Sequence, residues 1–315
     1  MSREPSNTLA VQVASLRKVY GDVVAVDDLS FAVERGSIFC IIGPNGAGKT
    51  TTIECLEGLR QPDSGSVLVA GVDPIADHAQ FVHKIGVQLQ EIGIPPRMKV
   101  REALYLFAAL YRSSLPLTEL SAELELDGFL SKRYGSLSGG QKRRVNIALA
   151  LVGDPEIVFL DEPTTGLDPE SRFRFWEYIR RQNARGMTIV VTTHYLEEAR
   201  EYCDTVLFLN KGSLVTAGPP ERLIEESGLV ARVVLPRAAL GAVGEDDLAA
   251  LPSVVHVRGT ETSIYVYGDG NVVNEVADFL SEKGVASGVL EARPANLDDI
   301  YFLAVGHKNP RGGQE

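Results

Sequence analysis

The apolar positions of this chain fall into short runs separated by glycine, proline and aspartate, a rhythm of strands and turns with helical stretches between them. Leu9 to Val19 alternates apolar and polar residues and predicts an edge strand, ended by Tyr20-Gly21-Asp22. Val23 to Val33 alternates in the same way up to a turn at Glu34-Arg35-Gly36, so the two predict antiparallel strands that feed a central one. Ile38-Phe39-Cys40-Ile41-Ile42 is unbroken and apolar, as a buried strand would be. Thr51 to Leu59 follows with Ile53, Leu56 and Leu59 at helical spacing. Gly65 to Val69 and Ile85 to Leu89 predict two more strands, the second ending at Gln90. Glu91 to Lys99 holds Gly93, Pro95 and Pro96 and predicts a loop. Val100 to Tyr111 predicts an amphipathic helix with Leu104, Phe107 and Leu110 on one face, and a second helical stretch runs from about Leu117 to Leu130. Residues 91–152 carry helical patterns without strand signals and predict a lobe apart from the sheet.

Beyond the lobe, Ile157-Val158-Phe159-Leu160 and Thr188 to Thr192 predict buried strands, with a helix containing Trp176 between them and a last sheet strand at about Val206 to Leu209. Gly218-Pro219-Pro220 is a predicted hinge. After it, Arg232 to Leu235, Val254 to Arg258, Ser263 to Tyr267 and Val289 to Ala292 predict strands. Asn271 to Lys283 and Asn296 to Val305 predict helices. The tail therefore predicts a small α+β domain over residues 221–308, without a motif for chemistry, after a first domain over residues 8–220.

Composition narrows the picture. A length of 315 residues, 44% hydrophobic and 23% charged, suits one large or two ordinary globular domains. A net charge of −11 argues against a non-specific nucleic-acid binder. No apolar run approaches the ~18 residues that span a bilayer, and Met1 to Asn7 is polar with no apolar core behind it, as no signal peptide would be. Cys40, Cys55 and Cys203 have no zinc or redox spacing and predict buried thiols. The expectation is a cytosolic protein for which any membrane role needs a partner.

Gly43-Pro44-Asn45-Gly46-Ala47-Gly48-Lys49-Thr50-Thr51 fits G-x-x-x-x-G-K-[ST], and it sits between a predicted strand and a predicted helix, the context that pattern requires. Its glycines let successive N–H groups point at one anion, and the helix adds its positive N-terminal end. Lys49 offers a compact cation to β- and γ-phosphates, and the Thr50 hydroxyl can ligate Mg²⁺. Leu137-Ser138-Gly139-Gly140-Gln141 opens a helix with a good N-cap and exposed amides, a second anion site. One phosphate loop has no use for a second such site unless two chains face each other and each caps the other's nucleotide. Asp161-Glu162 ends an apolar strand, where neighbouring side chains point to opposite faces, so one carboxylate can serve Mg²⁺ and the other an attacking water. Gln90, Asp161-Glu162, His194 and the phosphate loop all follow strands, the side of an open parallel sheet on which ligands bind.

These residues, in this order, resemble the ATP-binding subunit of ABC transporters over roughly the first two-thirds of the chain: the loop at Gly43 to Thr51, Gln90, the Leu137 to Gln141 signature, Asp161-Glu162, the Gly166 to Pro169 loop and His194. The Gln90 to Pro96 stretch, Arg143-Arg144 and the long tail are similar to the drug- and antibiotic-exporting type, as in daunorubicin resistance. The resemblance implies a P-loop NTPase with a mixed central sheet, an antiparallel β subdomain and a helical lobe. It implies that Tyr20 stacks on adenine, that Lys49 and the loop amides hold phosphates, and that Thr50 and Gln90 ligate Mg²⁺ with Asp161 holding it through water. Glu162 would polarise the attacking water and His194 would contact the γ-phosphate and orient that water. Ser138, Gly139, Gly140 and Gln141 would complete the partner's site, and Asp168 would lie at the dimer interface. The implied function is an ATPase, in a homodimer or paired with another ATPase subunit, at the cytoplasmic face of the membrane, powering a separate polytopic permease that exports drugs, antibiotics or other hydrophobic compounds. A non-transport ABC ATPase acting on ribosomes or nucleic acid is the alternative, disfavoured by the single module, the missing coiled-coil insertion and the acidic balance.

Overall fold

The computed structural model describes residues 8–88 and 93–306, which divide after Ala217 into two compact units. The first begins with β1 (Leu9–Tyr20), β2 (Val23–Glu34), β3 (Ile38–Ile42), α1 (Lys49–Leu56), β4 (Ser64–Val69), a single turn α2 (His78–Phe81) and β5 (Ile85–Gln88). The helical region carries α3 (Val100–Ala108), α4 (Leu117–Glu123) and α5 (Gly139–Leu151). Then come β6 (Ile157–Asp161), α6 (Pro169–Ala184), β7 (Thr188–Thr193), α7 (Leu196–Tyr202), β8 (Thr205–Asn210) and β9 (Ser213–Gly218).

Two sheets result. The large one has the order β5-β6-β7-β3-β8-β9, and β5, β6, β7, β3 and β8 run parallel. Every residue of β3, β6 and β7 is buried, as unbroken apolar runs covered on both faces must be. The small sheet is antiparallel with the order β2-β1-β4. The strand expected at an edge, β1, is therefore its centre. Alternation reports how many faces of a strand are buried, and carries no information on how many of its edges are paired. Phe31 of β2 stacks on Phe39 of β3, ring centroids 5.4 Å apart, and the two sheets share one core.

The helices differ from expectation mainly at their ends. Helix α1 starts at Lys49 because Gly48, at φ 99°, caps it, and it stops at Leu56, leaving Leu59 exposed. Helix α3 ends at Ala108 and buries Val100, Ala103 and Leu104, while Leu110 lies beyond it, 62% exposed. The stretch from Leu117 to Leu130 is not one helix: Glu125 takes a left-handed φ of 54° after α4, and only the turn Asp127–Phe129 follows. That break is tied down by charge. Glu125 pairs with Arg144 of α5 and Arg174 of α6, Glu123 pairs with Arg181, and Glu119 meets Arg185 at 3.0 Å. Each exposed pair contributes at most ~1 kcal/mol, and their joint effect is to hold α4 in register along α6.

The second unit comprises α8 (Pro220–Glu226), β10 (Ala231–Pro236), α9 (Glu245–Ala249), β11 (Val254–Gly259), β12 (Ser263–Gly268), α10 (Val272–Glu282), β13 (Glu291–Pro294) and α11 (Leu297–Gly306). Its sheet is antiparallel in the order β11-β12-β10-β13, so the run from β10 to β13 is a βαββαβ ferredoxin-like topology. Val266 packs with Val272, Val276 and Leu280 of α10; its neighbour Tyr267 packs with Ile300 of α11. Successive strand residues face opposite ways, so the two helices cover opposite faces.

Candidate active site

The segment from Gly43 to Gly48 joins β3 to α1 under close confinement. A Cβ at Gly43 would fall on the carbonyl of Leu209 in β8, and one at Gly48 on the carbonyl of Ala25 in β2. Gly46 and Gly48 also hold positive φ, 79° and 99°, so no other residue type fits the turn without strain. The turn between β8 and β9 braces the loop from the side, Gly212 N donating to Ala47 O at 2.9 Å. The Lys49 ammonium, 8% exposed, donates to Gly43 O at 2.8 Å and Pro44 O at 3.2 Å, which folds the cation across the loop. Thr50 is exposed beside it and Thr51 half-buried. Thr52 is buried and donates to Gly48 O at 2.8 Å, stiffening the first turn.

The ends of β6 and β7 lie on the same edge of the sheet. Asp161 is buried, and its carboxylate accepts from the Thr192 hydroxyl. Glu162 takes a left-handed φ of 46°, unusual for a side-chain-bearing residue, and its N–H is divided between Thr192 O at 3.1 Å and Thr192 Oγ1 at 2.9 Å. That backbone turns its carboxylate toward β7: Glu162 Oε2 lies 3.3 Å from His194 Nδ1 and accepts from Thr165 Oγ1 at 3.2 Å. The two side chains expected to act on one water are thus neighbours. Glu57, at the end of α1, is buried, and its carboxyl is pushed up to about 8 by that burial and then by the charge of Asp161.

At the start of α5, Ser138 and Gln141 cap reciprocally: Ser138 Oγ accepts from Gln141 N at 3.3 Å and Gln141 Oε1 from Ser138 N at 3.1 Å. A Cβ on Gly139 would meet nothing in this chain, and one on Gly140 only Gly166 O at 3.9 Å. Glycine at these two positions is not required by packing within the chain; it leaves room for something arriving from outside. The three cations that follow are all engaged: Lys142 lies 5.7 Å above the Tyr134 ring, Arg143 turns inward, and Arg144 pairs with Glu125. Asp168 caps α6, its carboxylate accepting from Ser171 N at 2.9 Å and Ser171 Oγ at 2.7 Å, which holds it below the usual carboxylate range.

Tyr20 closes the β1–β2 hairpin, 40% exposed, with Lys18 and Arg60 within 5.6 Å and 5.8 Å of its ring centre. Its hairpin partner β2 reaches the phosphate loop at Ala25. Gln90 lies outside the described residues. Three residues support the site in ways that the sequence alone does not show. Thr192 reads as one more residue of a buried strand. Arg143 reads as a solvated cation. Glu198 reads as a helix surface acid, yet it is 5% exposed, accepts from Thr164 Oγ1 at 2.8 Å and meets Arg172 at 3.2 Å. Arg172 in turn lies 4.4 Å above Tyr195, whose ring centre is 4.1 Å from that of His194. The segments bearing Glu162 and His194 are therefore held to each other from behind.

The chain is similar to known proteins over most of its length. The ABC transporter family profile matches residues 26–165. The chain is 35% identical over 307 residues to the Nod factor export ATP-binding protein I of Burkholderia orbicola, with 95% of this chain and 97% of that protein covered. It is 35% identical over 315 residues to the protein of the same name from Mesorhizobium japonicum, with 97% and 89% covered. Among solved structures, an ATP-binding subunit of an ABC transporter superposes with a TM-score of 0.66 at 29% identity, over 70% of this chain and 93% of its own. The dimeric post-hydrolysis state of the cassette MJ0796, bound to ADP and Pi, matches with a TM-score of 0.61 at 25% identity, over 66% of this chain and 98% of its own. The chain therefore belongs to the ABC transporter family, as an ATP-binding and ATP-hydrolysing subunit with the P-loop NTPase fold.

Proposed function

We propose that this subunit powers a membrane exporter of drugs, antibiotics or other hydrophobic compounds, docking as a peripheral subunit on the cytoplasmic face through a separate polytopic permease. The observation that carries the ATPase half is the 3.3 Å approach of Glu162 to His194 on the sheet edge that also bears the Lys49 loop. The export half draws support from relatives that are named for export and match nearly end to end, the second unit included. No helix of the described residues is long and apolar enough to cross a membrane; in this reading the permease supplies the path. Tyr105, Leu106 and Leu110 of the helical lobe, 67%, 47% and 62% exposed, offer an apolar docking surface on it. We assign residues 8–220 to the ATP-binding domain and 221–308 to an accessory domain for pairing or docking.

In this reading the loop amides and Lys49 grip the phosphates, exchanging the Gly43 and Pro44 carbonyls for phosphate oxygens. Among the described residues no cluster of three or more His, Cys, Asp and Glu could hold a metal ion alone. Mg²⁺ is bound by one or two protein oxygens together with substrate phosphates, and the exposed Thr50 hydroxyl and the Asp161 carboxylate offer oxygens of that kind. Thr50, Gln90 and Asp161 are the residues that would hold it, and when bound it neutralises charge on the phosphates. Glu162 polarises the water, His194 orients it against the γ-phosphate, and Ser138 to Gln141 of a facing chain close the site, with Asp168 beside that junction. Electrostatic placement does most of the work.

The reading predicts that a tagged chain recovered from detergent-solubilised membranes brings a polytopic protein with it and that this partner raises its ATP turnover. Recovery with ribosomes or nucleic acid instead would favour the non-transport alternative. Tyr20→Ala is expected to weaken ATP binding by ~1–3 kcal/mol, the range of base–aromatic stacking, measured by calorimetry. Inorganic triphosphate should bind both proteins alike; a matching loss for triphosphate would remove Tyr20 from the adenine.

A further inference from the structure

Arg143 stands one turn along α5 from the glycines of the signature, yet its side chain runs into the body of its own chain. Its Nε donates to Pro163 O and its Nη2 to Asp161 O, both at 3.1 Å. These are the carbonyls on either side of Glu162. The guanidinium is half-buried, and burial lowers its pKa from the usual arginine value while the nearby Asp161 and Glu162 carboxylates oppose that shift. A desolvated cation with two planar donors on two carbonyls is a rigid strut, and lysine cannot reproduce a fork that spans two acceptors. What it braces is a strained residue. Glu162 holds a left-handed φ of 46°, which persists only where surroundings over-determine it. Thr192 fixes the Glu162 N–H from the β7 side, and Arg143 holds the peptide carbonyl before Glu162 and the carbonyl of Pro163 after it from the α5 side.

We infer that Arg143 is a positioning residue that seats the Glu162 carboxylate from the signature helix. It rests on the facing-pair reading given above. The helix whose N-terminus receives the partner's nucleotide then also sets the base of its own chain. Hydrolysis at one site becomes conditional on occupancy of the other, through a single side chain.

The test is a double-mutant cycle in the full chain, read as single-turnover ATP hydrolysis with protein in excess. Arg143→Lys preserves charge and removes the fork. It should lower the hydrolysis rate about tenfold or more while ATP affinity stays within about twofold, since an interaction made only in the transition state moves rate and not binding. In a Glu162→Gln background the same substitution should cost nothing further, because residues that act as one unit are non-additive. Glu162→Gln/Arg143→Lys should still form the ATP-dependent dimer on a sizing column. A normal rate in Arg143→Lys overturns the proposal. So does an additional loss in the Glu162→Gln background, or a double variant that no longer dimerises, either of which would place Arg143 in closure or folding. Arg143→Gln, neutral and shorter, is the second variant should lysine disturb folding; it is expected to show the same non-additivity. If Glu162→Gln alone hydrolyses ATP at the normal rate, the base assignment fails first and takes the strut with it.

Discussion

Glu162→Gln should reduce ATP hydrolysis by a factor on the order of 10² or more while leaving ATP affinity intact, in line with removal of a positioned base. The amide keeps the shape of the side chain and can still accept from Thr165 Oγ1 and face His194 Nδ1, 3.2 Å and 3.3 Å away in the native chain. What it lacks is the charge that polarises water. On the proposed reading, binding draws on the phosphate loop, Tyr20 and Mg²⁺, none of which the substitution touches. On the facing-pair reading, in which hydrolysis reopens the pair, a pair closed over ATP would then persist. Dimers should appear on a sizing column with ATP and Mg²⁺ and vanish when Ser138→Arg blocks the open N-terminus of α5. Hydrolysis at the native rate would remove Glu162 from the chemistry. A trapped species that stays monomeric would sink the facing-pair mechanism.

Lys49→Ala should abolish useful ATP binding. The native ammonium is held at the mouth of the loop by Gly43 O and Pro44 O, 2.8 Å and 3.2 Å away, already desolvated and already aimed. Its removal takes the loop's own side-chain cation off the phosphates, and the carbonyls it neutralised would face the anion. Calorimetric titration with ATP should show no saturable heat at concentrations that saturate the native protein. Affinity close to native would mean that the cation is not a phosphate ligand.

Much of the scaffold was legible because its signals are local. An apolar pentapeptide, a glycine loop and a helix-spaced run lie adjacent in the chain, and the strand before Asp161-Glu162 is unbroken. The polar residues after β3, β6 and β7 were brought to one edge because parallel strands put their carboxyl ends together. What sequence could not supply is pairing at a distance. The central place of β1 depends on β4, and the ferredoxin-like order of the second unit depends on β13 returning beside β10. The grip on Asp161 comes from Thr192, 31 residues away, and that of Glu198 on Thr164 spans 34. Helix ends were misjudged where backbone conformation, at Gly48 and Glu125, outweighed apolar spacing. Arg143 entered the sequence reading only as part of the Arg143-Arg144 pair, because the carbonyls it binds lie about 20 residues away in the chain.

The backbone of Glu162 carries a consequence for the way such a protein can change. A left-handed conformation costs a residue with a Cβ ~1–2 kcal/mol, and glycine is free of that cost. Position 162 is therefore one where stability and activity pull apart. A chain with glycine there would relax a strained turn and lose the carboxylate in the same step. Screens that select only for heat resistance or soluble yield would be drawn toward that substitution and would return well-behaved proteins that bind ATP and do nothing with it. Any effort to harden this subunit has to score turnover alongside melting temperature, because at this residue the two measurements are expected to move in opposite directions.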